Sequence, residues 1–153
     1  LPNRRYAMNK LVTFKTELTK NHIPFVILLA DVDNFKKIND QFGHDFGDEA
    51  LIQLAKTFDK SIPKNAIASR WGGEEFLIVI PDATVEQGEQ VAEKIHNTLK
   101  ASAVSLFSDS TNITLSIGVM SASAERSIDL DIKRADELLY KAKAQGKNRT
   151  CSS

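Results

Sequence analysis

With 153 residues, the chain is long enough for one domain with its own core and too short for two ordinary ones, so we expect a single domain over 1–153. Its 20 basic residues balance its 20 acidic residues, which argues against nucleic acid or an anionic membrane as a partner. No apolar run approaches the roughly 20 residues that span a bilayer, and the single Cys151 can form no intrachain disulfide. We therefore expect a soluble domain from a reducing compartment.

The first predicted elements are a helix and a buried strand. Leu11, Phe14 and Leu18 recur at intervals of three and four residues, which predicts an amphipathic helix that Asn21 ends. The stretch PFVILLAD, residues 24–31, is a continuous apolar run of the kind found in strands that are buried on both faces. A helix and a core strand are therefore expected to open the domain.

A second helix and a glycine hairpin are predicted next. The helix runs from about Phe46 to the region of Pro63, because three apolar residues share one of its faces: Leu51, Ala55 and Phe58. A strand is expected over 67–71, and FLIVIP gives another. Gly72 and Gly73 between them match a two-residue turn that needs positive φ, so these strands should pair antiparallel.

The remaining elements are a helix, a strand and a last helix. Thr84 and Gln87 form a possible capping box ahead of a helix whose apolar face holds Ala92, Ile95 and Leu99. NITLSIGVM, residues 112–120, is predicted as a strand. The last helix is expected over 129–145, where Gly146 occupies the usual stop position and the buried residues are Ala135, Leu138, Leu139 and Ala142.

The order α, β, α, β, β, α, β, α predicts an α/β (α+β) fold. Strands alternate with helices around one tight hairpin, which implies a mixed sheet with helices packed on its faces. The apolar runs VILLA and FLIVI supply its core.

Two acidic positions point to a cation site. Asp31 and Asp33 end the most apolar strand and share a face, which favours a site over a core role. If the glycine hairpin lies beside that strand, Glu74 approaches Asp31, and two such carboxylates repel unless a cation lies between them. Oxygen ligands favour Mg²⁺ completed by substrate phosphates. The alternative is that DVDNF only starts a loop, with Asp33 or Asn34 capping the helical turn in FKKIND.

Donors for phosphate follow the same strand. The backbone N–H groups of Asn34, Phe35 and Lys36 open a helical turn and could face an anion, and the Lys36 side chain adds a charge. Lys143 and Lys147 are four residues apart and could point the same way. For that pair, a solvated surface near a helix C-terminus is the alternative.

The segment INDQFGHDFGDEAL adds Asn39, His44 and Asp48. A carboxylate that accepts from the ring N–H and the exocyclic amine, beside an amide, can read a guanine edge, and adenine lacks that donor pair. Singly, these residues also fit a helix stop, a loop histidine and an N-cap. The sequence has no GxxxxGK[ST] loop and no Ser, His and Asp arrangement, which argues against P-loop chemistry and acyl hydrolysis.

A family resemblance is carried by six stretches in order: LPNRR, DVDNFKKIND, GHDFGDEAL, RWGGEEF, LSIGV and ADELLYKAKAQGKNR. Together they resemble the GGDEF domain of diguanylate cyclases over essentially the whole chain, with GGEEF as an accepted form of the signature. The resemblance implies the five-stranded, mixed sheet of nucleotidyl cyclases and polymerase palms, mainly antiparallel and flanked by helices. It also implies a small extra hairpin within 101–112, which periodicity does not resolve.

By the same resemblance, Asp31, the backbone carbonyl of Val32 and Glu74 would hold two Mg²⁺ or Mn²⁺ ions. Glu74 would also assist deprotonation of the attacking hydroxyl, and Glu75 would support the metal site. The substrate residues implied are Asn39 and Asp48 for guanine, His44 and Phe35 for the nucleotide, and Lys36, Lys143 and Lys147 for the phosphates.

The implied reaction joins two GTP into cyclic di-GMP and two pyrophosphates across a transient or regulated homodimer. The chain starts at Leu1 without an initiator methionine and resembles a piece excised from a longer protein with an N-terminal regulatory region. The resemblance implies a bacterial cytoplasmic domain whose full-length protein could be membrane-anchored, although the domain itself would not touch the membrane. The alternatives are a degenerate GGDEF domain that only binds GTP or a partner, and a cyclase making mixed dinucleotides, which Asp48 disfavours.

One family feature is missing. Many members carry an inhibitory RxxD site whose Asp lies six residues before the first signature glycine. Here Pro63 and Ala66 occupy the Arg and Asp positions, and Lys64 lacks the planar fork of arginine. We expect no inhibitory RxxD site.

Overall fold

The computed structural model describes residues 1–106 and 113–153. The helices within these residues are α1 (Arg4–Asn21), α2 (Phe35–Phe42), α3 (His44–Ser61), α4 (Val85–Leu106) and α5 (Ile128–Ala144). The strands are β1 (Phe25–Val32), β2 (Ile67–Arg70), β3 (Glu75–Pro81), β4 (Leu115–Ser121) and β5 (Arg149–Ser152). No described helix has the length and apolarity to cross a membrane.

The strands form one mixed sheet in the order β2-β3-β1-β4-β5. β1 is central and pairs antiparallel with both β3 and β4, and β2 pairs antiparallel with β3. Only the β4–β5 pair is parallel among the strands described. The prediction of a mixed, mainly antiparallel sheet of five strands is confirmed.

Helices cover both faces of this sheet, which explains why β1 is buried along its whole length and apolar at every position except Asp31. Because strand side chains alternate, Val26, Leu28 and Ala30 of β1 join the core with α3 and α4. Phe25, Ile27 and Leu29 join the core with α1 and α5 on the other face. Asp31 near the end of β1, and Asp33 directly after the strand, continue the alternation of Phe25, Ile27 and Leu29. Their carboxylates therefore lie on the side of α5.

Local sequence fixes the helix positions. Asn3 caps α1 by accepting from the Tyr6 N–H at 3.0 Å. The predicted capping box is present ahead of α4, since the Thr84 N–H donates to Gln87 Oε1 at 2.8 Å and the Gln87 N–H donates to Thr84 Oγ1 at 3.3 Å. Gly118 in β4 lets α5 approach closely, because a Cβ there would lie 2.4 Å from the backbone oxygen of Ala135.

Three predictions about elements need correction. The predicted order of elements has no strand after the last helix, whereas Arg149–Ser152 forms β5. FKKIND belongs to the eight-residue helix α2 rather than to a single helical turn. Gly72 and Gly73 do not form a two-residue turn of positive φ, since Gly43 and Gly146 are the only described glycines with positive φ. Within 101–112, α4 extends to Leu106, and the expected extra hairpin otherwise lies outside the described residues.

Candidate functional site

The site begins where β1 ends beside the signature turn. Asp31 pairs with Glu75 of β3 on one side and with Ser116 of β4 on the other. One residue further along, the Val32 N–H donates to the backbone oxygen of Glu74 at 3.2 Å. The predicted approach of the glycine hairpin to the first strand is confirmed, and it brings the carboxylates of the turn next to Asp31.

The turn itself is a four-residue loop, 71–74, closed by one carbonyl. The backbone oxygen of Glu75 accepts from the Trp71 N–H at 2.8 Å and from the Gly72 N–H at 3.3 Å. The guanidinium of Arg70 donates to the backbone oxygen of Gly73, with Nε at 3.2 Å and Nη2 at 2.5 Å. These contacts hold the loop without the positive φ values expected for the glycines.

The carboxylates of this region oppose one another's ionisation. Burial raises the pKa of Asp31 despite the hydrogen bond and charge of Lys143, and Asp33 and Asp136 raise it further. Burial and the charge of Asp31 raise the pKa of Glu74. The pKa of Glu75 is raised by burial and then by its acidic neighbours, chiefly Asp31. A cation placed among these groups would lower the free energy of their ionised forms.

The donor chemistry fits a hard divalent cation. Asp31 and Glu74 offer carboxylate oxygens, and Val32 adds a backbone carbonyl at the end of the strand. Among the residues described, no three His, Cys, Asp or Glu side chains already stand in a metal-holding arrangement. Mg²⁺ commonly binds through one or two carboxylates and completes its shell with waters and substrate phosphates, so two carboxylates suffice.

Asp33 has a different surrounding from Asp31. It is 3% exposed and accepts from Thr114 Oγ1 at 2.7 Å, Ser116 Oγ at 2.6 Å and the Asn148 N–H at 2.9 Å. The expectation that a charged pair at this place lies outside the core was therefore wrong, since Asp31 is also buried, with 6% exposed. The Asp33 carboxylate, satisfied by three donors, ties the end of β1 to β4 and to the segment before β5.

Asn34 starts α2 with an unusual backbone. It occupies the N-cap with φ 56° and its side chain makes no capping hydrogen bond. Neither alternative cap, Asp33 nor Asn34, therefore works through its side chain. Phe35 and Lys36 follow as the first helical residues, and the Lys36 side chain is exposed. The N-terminus of α2 lies directly after the cation candidates Asp31 and Val32.

The corner between α2 and α3 holds the predicted base-reading residues. Asn39 Oδ1 is buried and has no hydrogen-bond partner within the described part of the chain. It lies over Gly47, where a Cβ would come within 1.9 Å of it. His44 is the first residue of α3, and Asp48 is exposed one turn later. The corner thus offers an unsatisfied acceptor and an exposed carboxylate from adjoining helices.

The two C-terminal lysines reach the same site from α5 and the segment after it. Lys143 Nζ lies 2.5 Å from Asp31 Oδ1, and Lys147 Nζ donates to Asn34 Oδ1 at 2.6 Å. Both lysines therefore point toward the β1–α2 segment, as the four-residue spacing allowed, and their contact with phosphates stays a prediction. Lys147 reaches this position with φ 65°.

Sequence reasoning missed several participants. The charge of Asp136, on the same helix as Lys143, helps to raise the pKa values of Asp31 and Glu75. Arg70 holds the turn through its hydrogen bonds to the backbone oxygen of Gly73. A spacing of seven residues, two helical turns, places Asp136 and Lys143 on one face of α5 and could have identified the former. No local pattern pairs Asp33 with Ser116, because 83 residues separate them.

The positions of the missing inhibitory motif lie just before β2, at the end of that strand away from the 71–74 loop. The Ala66 N–H donates to the backbone oxygen of Pro63 at 3.1 Å, so the two residues share one turn between α3 and β2. Pro63 lines a shallow cavity of about 360 Å³ together with Gln87, Gln90 and Lys94 of α4. These side chains include no arginine fork and no carboxylate.

Comparison with known proteins gives one consistent result. The family model described as "Diguanylate cyclase, GGDEF domain" matches residues 1–149. Response regulator PleD from Caulobacter vibrioides is 38% identical over 151 residues, which are 97% of this chain and 33% of PleD. Diguanylate cyclase DgcM from Escherichia coli is 40% identical over 129 residues, 84% of this chain and 31% of DgcM. The chain spans about a third of the length of these curated relatives.

A solved structure extends the similarity to the fold. The active GGEEF domain of a diguanylate cyclase from Vibrio cholerae has a TM-score of 0.92 and 38% sequence identity. The match covers 99% of this chain and 97% of that one. The similarity therefore extends over the whole sheet and over the GGEEF signature, residues 72–76.

Proposed function

Because the chain belongs to the diguanylate cyclase GGDEF domain family, we propose that it condenses two GTP molecules into cyclic di-GMP and two pyrophosphates. The observation that carries the proposal is the β1–β3 register, in which Asp31 pairs with Glu75. This register places the carboxylates of the signature turn against the end of β1. Carboxylates whose pKa values are raised by burial and by one another are typical of functional sites, which supports the proposal.

Asp31, the Val32 carbonyl and Glu74 would hold two Mg²⁺ or Mn²⁺ ions. When bound, these ions supply charge neutralisation at the phosphates and activation of the attacking oxygen. Glu74 would also take the proton of the 3′-hydroxyl, since a carboxylate at the reacting centre can act as a general base. Glu75 and Lys36 support the same step, by holding the acidic site and by contacting phosphate.

Guanine is assigned to the corner between α2 and α3. The buried Asn39 Oδ1 needs a donor, and the exposed Asp48 accepts from the two N–H groups that guanine presents on one edge. His44 borders the same corner. Phosphates would lie at the N-terminus of α2, against the Phe35 and Lys36 amides, with Lys143 and Lys147 closing the other side.

The stoichiometry requires two sites. Each 3′-oxygen attacks the α-phosphate of the other nucleotide, a P–O bond forms, and pyrophosphate leaves with the electrons of the broken bond. Each domain contributes one GTP, so two domains meet face to face with a two-fold axis between them. A homodimer that forms transiently or under control of other parts of the protein follows from this proposal.

The test is identification of the product. The purified domain is incubated with GTP and Mg²⁺, and the products are separated by liquid chromatography and identified by mass spectrometry. The proposal expects cyclic di-GMP with two pyrophosphates per product, and about tenfold to a hundredfold less turnover with ATP, because Asp48 would face a ring without its donors. GTP binding without any cyclic product would instead identify a nucleotide-binding regulatory module.

A further inference from the structure

We propose that Lys143 competes with the divalent cation for Asp31, so that cation and nucleotide bind cooperatively. The proposal rests on the proposed function, because it takes Asp31 as a cation ligand and Lys143 as a phosphate contact. It adds a role that neither assignment contains: Lys143 sets how tightly the site takes the cation before the nucleotide arrives.

The first observation is the contact itself. Lys143 Nζ lies 2.5 Å from Asp31 Oδ1, and the two side chains are 30% and 9% exposed. Lys143 is held there by its helix, because Leu139 and Ala142 of α5 are buried against the sheet. The ammonium therefore faces the carboxylate from a rigid element and is only partly hydrated.

The second step concerns the Asp31 carboxylate, which Lys143 and a divalent cation would have to share. Oxygen ligands bind Mg²⁺ at about 2.1 Å, so a cation on Asp31 Oδ1 would approach the ammonium closely. Two positive charges at that separation repel strongly where water is partly excluded. The Lys143–Asp31 ion pair must open before Asp31 can bind a cation fully, and the apparent affinity for the cation falls accordingly.

The third step is the partner that the nucleotide offers. Lys143 and Lys147 approach the β1–α2 segment from one side, and Lys147 already donates to Asn34 Oδ1 at 2.6 Å. A triphosphate at the N-terminus of α2 would give the Lys143 ammonium new acceptors as it leaves Asp31. The nucleotide thereby removes the competitor, and by linkage the cation strengthens nucleotide binding by the same factor.

The site provides a matched control. Lys147 has the same charge and lies at the same site, but its partner is the neutral amide of Asn34 rather than a carboxylate. Removing Lys147 tests the general effect of a nearby positive charge on cation binding. Removing Lys143 tests that effect together with the loss of the ion pair that occupies the Asp31 carboxylate.

The experiment measures Mn²⁺ binding without nucleotide, by electron paramagnetic resonance of free Mn²⁺, for the parent, Lys143→Met and Lys147→Met. We expect Lys143→Met to bind Mn²⁺ about fivefold more tightly or better, and Lys147→Met to stay within about twofold of the parent. With a non-hydrolysable GTP analogue present, Mn²⁺ binding should tighten more in the parent than in Lys143→Met. Circular dichroism confirms that each variant is folded.

Unchanged or weaker Mn²⁺ binding by Lys143→Met, including no detectable binding by any form, would overturn the inference. An equal gain in both lysine variants would overturn it as well, because general electrostatics would then suffice. The proposed function is judged separately. A parent that makes cyclic di-GMP while Lys143→Met shows parental Mn²⁺ affinity retains the function and loses this inference.

Discussion

Glu74 and Glu75 are adjacent, yet their backbone positions differ. Glu74 lies in the loop and its carbonyl accepts from the Val32 N–H, so its side chain stands at the end of β1. Glu75 is the first residue of β3 and pairs with Asp31, while its carbonyl closes the turn. Replacement of either side chain by glutamine preserves shape and backbone contacts, which makes the two positions separable by experiment.

Glu74→Gln is expected to reduce cyclic di-GMP turnover by about a hundredfold or more and to leave the fold intact. The change removes a proposed cation ligand and proton acceptor, and losses of this kind commonly reach that size. The measurement is steady-state product formation beside a thermal unfolding curve. Glu86→Gln is the control, because Glu86 is exposed and lies far from the site. It belongs to α4, which begins after the end of β3 where Pro81 pairs with Phe25. Near-parental turnover of Glu74→Gln would show that Glu74 is misassigned.

Glu75→Gln is expected to raise the melting temperature by roughly 1–3 °C at neutral pH without added metal. Burial and then Asp31 raise the Glu75 pKa above 4.5, so the folded state binds the proton more tightly than the unfolded state. The ionised carboxylate therefore destabilises the fold, and this cost grows as pH rises from about 4.5 through the raised pKa.

The measurement compares thermal unfolding of parent and Glu75→Gln at about pH 8 and about pH 4. The gain in melting temperature should be present at the higher pH and nearly absent at the lower one, where both states carry the proton. A gain of equal size at both values, or a loss at the higher pH, would contradict the electrostatic origin.

At the scale of elements, the α2–α3 corner depends on one glycine. Gly47 is buried inside α3, where glycine costs about 1 kcal/mol relative to alanine in helix propensity. A Cβ at this position would lie 1.9 Å from Asn39 Oδ1 and 3.2 Å from Phe35 Cζ. Glycine at this position therefore lowers the intrinsic stability of α3 but allows Asn39, the residue proposed to read guanine, to approach the helix closely.

Gly47→Ala is accordingly expected to weaken GTP binding by about tenfold or more, because Asn39 must leave its position. The measurement is calorimetric titration with a non-hydrolysable GTP analogue and Mg²⁺. Lys56→Ala, an exposed change on the same helix, should leave that affinity unchanged. Parental affinity in Gly47→Ala would remove Asn39 from the proposed base site.

The elements differ in how far their sequences determine them. β1 and β3 are predictable because a continuous apolar run has few places to lie other than the centre of a sheet. β5 has the sequence RTCS, which carries no such signal, and it becomes a strand through its parallel pairing with β4. The loop 71–74 escaped prediction because the Glu75 carbonyl closes it, and the Gly-Gly pattern alone indicates a tighter turn.

In the site, too, some contacts could be predicted from the sequence and others could not. The proximity of Asp31 and Glu74 follows from placing the hairpin beside the first strand, which the apolar patterns already favour. The partners of Lys143 and Asp33 do not follow, because 112 and 83 residues separate them from Asp31 and Ser116. Contacts over such distances depend on the whole packing of α5 and β4 against β1.

For the whole molecule, we expect weak feedback by the product. Pro63 and Ala66 offer no guanidinium and no carboxylate to a cyclic dinucleotide, and Lys94 is a single charge nearby. Cyclic di-GMP titrated into Glu74→Gln by calorimetry should bind no tighter than the micromolar range away from the substrate site. The double variant Pro63→Arg, Ala66→Asp should bind it more tightly. Sub-micromolar binding of a product dimer by the unaltered turn would refute this expectation.

Assembly is the other property of the whole molecule. In the proposed reaction one domain supplies one GTP site and the product contains two guanosine units, so catalysis would need an encounter of two domains. An isolated domain that associates weakly should therefore be a poor enzyme when dilute. Its catalytic rate per domain should rise with protein concentration and level off once the dimer predominates.

The most direct measurement is the initial rate of cyclic di-GMP formation from GTP and Mg²⁺ across a hundredfold range of domain concentration. The account predicts that cyclic di-GMP forms and that the rate per domain increases with concentration until it saturates. Absence of cyclic di-GMP at every concentration would contradict the proposed reaction, and a rate per domain that stays constant across the range would contradict its assembly from two facing sites.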